Sequence, residues 1–342
     1  MMASLGLSTV LLLLWISLIG NTAPTPVTPR HAQIQSYAAL GDSYASGAGA
    51  GSPRFSFEDL TCGRYSDSYP IQAANNALLN ITRSNFKNLA CGGSKGLTVL
   101  RDQIPHIGMS DLVSITIGGN EANFYPVVSE CIYHWRPAST CEAELVKARG
   151  LIESSGLWDS LHAVVSGAVR RLKPSALLLV TGYARFFNDR TDYCDRATFS
   201  QTRPLDFLTK SKRRELNQLV MMLNDVIRAT AEVHGAVYVD IDAAFEGHRF
   251  CEEGVHEPDL ERSDTWFFNL PPSDMSEAAI GGGRGSDHRH SREVQQRIST
   301  DDWHEGSVNE FPNIKKWRVF HPTSLGHQGI AEVIVREAIL HS

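Results

Sequence analysis

The sequence lacks any excess of positive charge. Its 32 Lys and Arg stand against 38 Asp and Glu, a formal net charge of −6. It therefore offers no basic stripe for nucleic acid or an anionic membrane surface. It has no uninterrupted apolar run of the roughly 20 residues that a membrane-spanning helix needs; the longest, from about Leu5 to Ile19, falls short. No C-x₂-C pair occurs, so the cysteine spacing fits no zinc pattern. There is no internal repeat, and 42% hydrophobic with 20% charged residues is not the composition of a disordered chain. What remains is a globular protein of 342 residues, long enough for one large domain or two modest ones.

The short apolar run is followed at once by the Pro-rich stretch Pro24-Thr25-Pro26. Residues 1–23 thus read as a secretory signal peptide, and 24–342 as a single mature domain with no integral membrane segment. No Lys or Arg precedes the run and no clean small-x-small cleavage site follows it, so a retained signal anchor is the alternative. Secretion predicts an oxidising compartment, and the six cysteines are an even number. Their order suggests local pairs: Cys62 with Cys91, Cys131 with Cys141, Cys194 with Cys251. Composition alone cannot choose among the fifteen possible pairings, and six buried thiols are the other possibility. The sequon Asn80-Ile81-Thr82 makes Asn80 a candidate glycosylation site.

Short apolar runs bounded by Gly are the pattern of buried parallel strands. Ser36 to Leu40 ends at Gly41, Phe86 to Ala90 at Cys91-Gly92-Gly93, Leu112 to Ile117 at Gly118-Gly119, and Leu177 to Thr181 at Gly182. Val237 to Ile241 ends at an acidic loop. Between them lie helical periods. Leu216, Leu219, Leu223, Val226 and Ile227 share one face ahead of Gly235, and Ile330, Val333, Ile334 and Ile339 share another behind a Thr323 or Ser324 cap. This predicts one α/β domain of about five parallel strands with helices on both faces. Residues 252–313 break the rhythm. They are long, polar and Gly-punctuated, and read as a loop insert.

Ligands of open α/β sheets bind beyond the carboxyl ends of the strands. There the first strand delivers Gly41-Asp42-Ser43-Tyr44-Ala45-Ser46-Gly47, with Ser43 opening a helix. Ser43 is either a nucleophile or a plain N-cap. Cys91-Gly92-Gly93-Ser94 offers unobstructed backbone N–H groups, and Gly118-Gly119-Asn120-Glu121 an amide side chain. Both could serve the oxyanion of an acyl-transfer intermediate, and both are also ordinary turn chemistry. Val319-Phe320-His321-Pro322-Thr323 brings a histidine just ahead of the last helix.

Ser, Gly, Asn and His in this order, each at its strand end, resemble the SGNH hydrolase superfamily of GDSL-type esterases and lipases, from Gly41 to about Gly329. The resemblance implies a three-layer α/β/α fold and hydrolysis of carboxylic esters. It implies Ser43 as nucleophile, His321 as general base, and an oxyanion hole of Ser43 N–H, Gly93 N–H and the Asn120 side chain. The cysteine order is similar to that of secreted three-disulfide members. No metal or organic cofactor is implied; the expected partner is a small-molecule or lipid ester, and the expected state a monomer. One position departs from the family. An Asp usually stands three residues before the base, where this chain has Arg318, so the carbonyl of Trp317 or Arg318 is expected to orient His321. Asp42 and Glu121 read as structural. Polysaccharide deacetylation, phospholipid deacylation, or a degenerate secreted binding protein are the alternatives.

Other patterns carry weaker readings. Gly92-Gly93-Ser94-Lys95-Gly96 matches the G-x-S-x-G nucleophile elbow, but only two strands precede it. Asp301 lies three before His304 without a following Pro, and Asp287, His288 and His290 have nothing to fix a metal geometry.

Overall fold

The computed structural model describes residues 34–135, 139–259, 262–270 and 314–342. The leader 1–23 and residues 271–313 of the long insert lie outside the described residues, and with them Asp287, His288, His290, Asp301, Asp302 and His304.

Five parallel strands form one sheet in the order β2-β1-β3-β4-β5. They are β1 (Tyr37–Gly41), β2 (Phe86–Asn88), β3 (Leu112–Thr116), β4 (Leu177–Thr181) and β5 (Val237–Val239). Every residue of β1 and β3 is buried, as strands covered on both faces must be. The two edge strands end at Asn88 and Val239, two residues before the ends of their apolar runs.

The helices Cys141–Ile152, Ser155–Val169 and Lys210–Val233 pack on one another, while Ser324–Leu340 packs with Tyr69–Asn75. The sheet lies between these layers, giving the three-layer α/β/α arrangement. In Lys210–Val233 the Thr209 side chain accepts from Lys212 N–H, Leu216, Leu219, Leu223 and Ile227 are buried, and Gly235 follows the end at φ +67°. The last helix starts at the Thr323 cap as expected and buries Ile330, Val333 and Ile334. Ile339 does not share that face; it is 37% exposed, and Ala338 takes the buried position instead.

All six cysteines are paired, 62–91, 131–141 and 194–251. Among the described residues no helix is long and apolar enough to cross a membrane. The described start of the insert is built into the framework. Trp266 N–H donates to the His248 carbonyl, Thr323 N–H to that of Trp266, and Phe267 is buried.

Candidate active site

The chain leaves β1 for β2 on one side and returns to β3 on the other, so the sheet's switch point lies between β1 and β3. Ser43 and Asn120 follow those two strands. Gly41 has φ +133°, and a Cβ there would stand 2.1 Å from the Thr116 carbonyl oxygen; only glycine permits β1 to turn so close to β3. Asp42 then caps the one-turn helix Ser43–Ser46 by accepting Tyr44 N–H at 3.0 Å. Ser43 is thereby the first helical residue, and its N–H is one of those at a helix start that have no intrahelical acceptor.

His321 Nε2 lies 2.7 Å from Ser43 Oγ. Nδ1 lies 3.2 Å from the Val319 carbonyl oxygen, an acceptor only, so Nδ1 carries the hydrogen and Nε2 presents its lone pair to the serine. Of the two carbonyls expected in this role, Trp317 and Arg318, that of Arg318 also acts on the ring, behind the Val319 carbonyl. The backbone turns tightly here, so the Arg318 carbonyl accepts the N–H of His321 itself and Val319 faces the ring. Among the described residues no carboxylate contacts His321. The Arg318 guanidinium instead lies over the Phe268 ring, 4.6 Å from its centroid.

The histidine loop is held from three directions. Phe320 N–H donates to the Phe268 carbonyl and Phe268 N–H to that of His321, both at 2.9 Å. The Tyr44 hydroxyl donates to the Phe320 carbonyl at 2.9 Å. Phe320 sits at φ +61°, a left-handed conformation costly for a non-glycine residue, and these bonds fix it there. The imidazole is packed among apolar groups with only part of it reaching the cavity. That desolvation pulls its pKa down to about 4, against the opposing pull of the Val319 and Arg318 carbonyls. It is neutral, and able to accept a proton, over the whole range above that.

The glycine and asparagine turns meet at the same end of the sheet. Gly93 adopts φ +76° in the turn Cys91–Ser94, and Asn120 Nδ2 donates to the Ser94 carbonyl at 2.9 Å, leaving its second hydrogen uncommitted. Glu121 accepts the N–H of Gly96 at 2.5 Å, and burial raises its pKa. Ser94 is buried and its Oγ accepts from Gln103 Nε2 at 3.1 Å. The same Gln103 bonds both backbone groups of Gly41, at 2.8 and 2.9 Å. Ser94 is thus a packing residue with no base beside it, and the nucleophile-elbow pattern is incidental.

Ser43, Asn120 and His321 border one cavity of about 80 Å³, walled by Phe124, Val128, Phe186, Trp317 and Phe320; Gly93 is not on its wall. A larger concavity of about 1080 Å³, around Arg190, Asp192, Asp195 and Glu252, shares no residue with it. Among the described residues no three His, Cys, Asp or Glu are grouped to hold a metal ion.

Sequence reasoning missed Tyr183, whose hydroxyl touches both Asp42 and the Gly119 turn. The signal was available: Tyr183 follows Gly182 at the end of β4, the same placement that flagged Ser43 and Asn120.

Residues 39–266 match the GDSL-like lipase/acylhydrolase family. The chain is 34% identical over 245 residues to a lipase of Streptomyces rimosus, covering 71% of this chain and 83% of that protein. It is 31% identical to Lipase 1 of Streptomyces coelicolor, covering 67% and 78%. Among solved structures it is similar to an extracellular lipase from Streptomyces rimosus, with a TM-score of 0.62 at 27% identity over 89% of this chain and 99% of that one. It is also similar to a phospholipase A1 from Streptomyces albidoflavus, with a TM-score of 0.60 at 28% identity over 88% and 98%.

Proposed function

The chain belongs to the GDSL-like lipase/acylhydrolase family and is an ester hydrolase, and from that premise we propose that it cleaves carboxylic esters through an acyl-enzyme on Ser43. The observation that carries this reading is the 2.7 Å contact of His321 Nε2 with Ser43 Oγ, with the opposite ring nitrogen committed to a carbonyl. Nε2 takes the serine proton as Oγ bonds to the ester carbon, and the carbonyl oxygen becomes an oxyanion. Ser43 N–H and the free hydrogen of the Asn120 amide, both at the cavity, donate to it, and Gly93 N–H, from the neighbouring turn that Asn120 holds through the Ser94 carbonyl, is the third donor of this reading. The imidazolium then protonates the departing alcohol. A water, deprotonated by the same Nε2, frees the acid and restores Ser43.

The largely aromatic and aliphatic wall of the cavity suits an apolar acyl group, and a lipid ester is the substrate class of this reading. Secretion belongs to the same reading. It is supported by the leader-like residues 1–23 and by three disulfides. Asn80, exposed at a surface turn, is the proposed glycan acceptor.

A fluorophosphonate probe tests the assignment. It should label Ser43, and Ser43→Ala should abolish both labelling and ester hydrolysis while the fold persists; label on Ser94, or an active Ser43→Ala protein, overturns it.

A further inference from the structure

Tyr183 stands between the two turns on which the chemistry depends. Its hydroxyl donates to Asp42 Oδ2 at 2.5 Å and accepts the N–H of Gly119 at 3.0 Å. Asp42 directly precedes Ser43, and Gly119 directly precedes Asn120. The ring packs edge-on against Tyr44, centroids 4.9 Å apart. Its backbone is pinned by one side chain of the helix Lys210–Val233: Tyr183 N–H donates to Asn224 Oδ1 and Asn224 Nδ2 donates to the Tyr183 carbonyl, each at 2.8 Å. A Cβ at Gly182 would stand 2.8 Å from Asn224 Oδ1, so the glycine before Tyr183 makes that clamp possible.

We propose that Tyr183 is a positioning residue for the hydrolysis, holding the Asn120 oxyanion turn in register with the Ser43 turn through one phenol. This rests on the assignment of Ser43 and Asn120 made above. The geometry fixes each hydrogen. Gly119 N–H occupies the phenol oxygen, so the phenol hydrogen goes to Asp42 Oδ2, while Asp42 Oδ1 holds Tyr44 N–H. Both carboxyl oxygens are therefore acceptors, and a proton on either displaces a donor. The bridge requires Asp42 as carboxylate. Its surroundings are the hydroxyls of Tyr183, Tyr44 and Tyr69 and the carboxyl of Glu121. Burial lifts its pKa to about 7, and the Tyr183 hydrogen bond holds it from rising further.

Tyr183→Phe keeps the ring and removes only the bridge. With probe labelling of Ser43 used to count active sites, kcat should fall about 10- to 100-fold with KM unchanged, the loss expected of one charge-assisted hydrogen bond. The acid limb of kcat/KM, expected near pH 7 in the parent enzyme from Asp42, should drop toward that of His321, because protonating Asp42 then has no bridge to break. Asp42→Asn, which keeps the Tyr44 cap, should lose a similar factor in kcat. Its acid limb should drop toward that of His321, near 4. The double variant should be no worse than either single one. A kcat within twofold of the parent, a loss confined to KM or to thermal stability, or additive losses would overturn the role of Tyr183. Absence of probe on Ser43 in the parent enzyme would instead sink the site assignment beneath it.

Discussion

Three residues before His321, the Arg318 side chain cannot accept the imidazole hydrogen, because a guanidinium is donor-only. The Val319 carbonyl accepts it instead, and a main-chain carbonyl survives any side-chain replacement. What the side chain does contribute is packing. Its stem fills the space a side chain at Gly49 would need, and its head lies on Phe268. Arg318→Ala should therefore retain kcat within about threefold and lower stability by ~1 kcal/mol, the order of a lost cation–π contact. Steady-state kinetics beside a melting curve would read both. A loss near 10⁴-fold, as when a triad acid is removed, would mean that Arg318 or a group it holds orients the ring.

Among the elements, the helix Phe57–Thr61 has no buried residue of its own to anchor it. It is tied to the turn Cys91–Ser94 by Cys62–Cys91, by Gly92 N–H donating to the Cys62 carbonyl, and by Arg64 Nε donating to the Ala90 carbonyl at 2.8 Å. The bridge spans a sequence separation of 29, for which chain entropy gives roughly 3–4 kcal/mol. Replacing both Cys62 and Cys91 by Ala should lower unfolding stability by that order. Because the bridge closes on the turn that carries Gly93, kcat should fall more than KM rises. Denaturant titration with kinetics below the new midpoint checks this, and unchanged kcat would detach the bridge from the site.

The same elements show what could be read in advance. Buried parallel strands are continuous apolar runs, four of them here stopped by glycine, so all five were legible, as were the serine and asparagine that follow two of the strands and the histidine of the last loop. The contact of Trp266 to Phe268 with the histidine loop was not, because it consists of backbone hydrogen bonds that leave no mark on side-chain identity. The Val319 carbonyl was hidden for the same reason. Tyr183 was legible only in part: it follows Gly182 at the end of β4 as Ser43 and Asn120 follow their strands, but its link to Gly119 shows only once β4 is known to lie beside β3.

Over the whole molecule, the groups buried beneath the site set how the fold responds to acid. His327, in the first turn of the last helix, is fully buried. Its Nδ1 accepts Tyr69 N–H at 3.3 Å, and its Nε2 has no hydrogen-bond partner. Burial, aided by nearby His321 and opposed by Asp67, pulls its pKa down to about 3, against 6.5 for a free histidine. The unfolded chain therefore binds a proton at this residue below pH 6.5 that the folded chain refuses until about pH 3. Stability from His327 is complete above 6.5 and is lost as pH falls through that window. His321 acts in the same direction between 6.5 and about 4. Asp42 acts oppositely. Its folded pKa of about 7 exceeds the unfolded 3.8, so between those values the folded chain keeps a proton that the unfolded chain releases. Burial of Glu121 and Glu257 raises their pKa values and gives the same sign. Histidines and carboxyls offset each other, so the total curve is an ambiguous readout and the difference between two proteins is the sharp one. His327→Asn keeps an acceptor for Tyr69 N–H and removes the titrating group. Its smaller side chain should leave it less stable than the parent at pH 7. The gap should narrow steadily from pH 6.5 toward 4, in melting temperatures measured on paired samples. A gap that stays constant across that range would show that His327 takes up its proton as readily in the folded protein as in the unfolded chain.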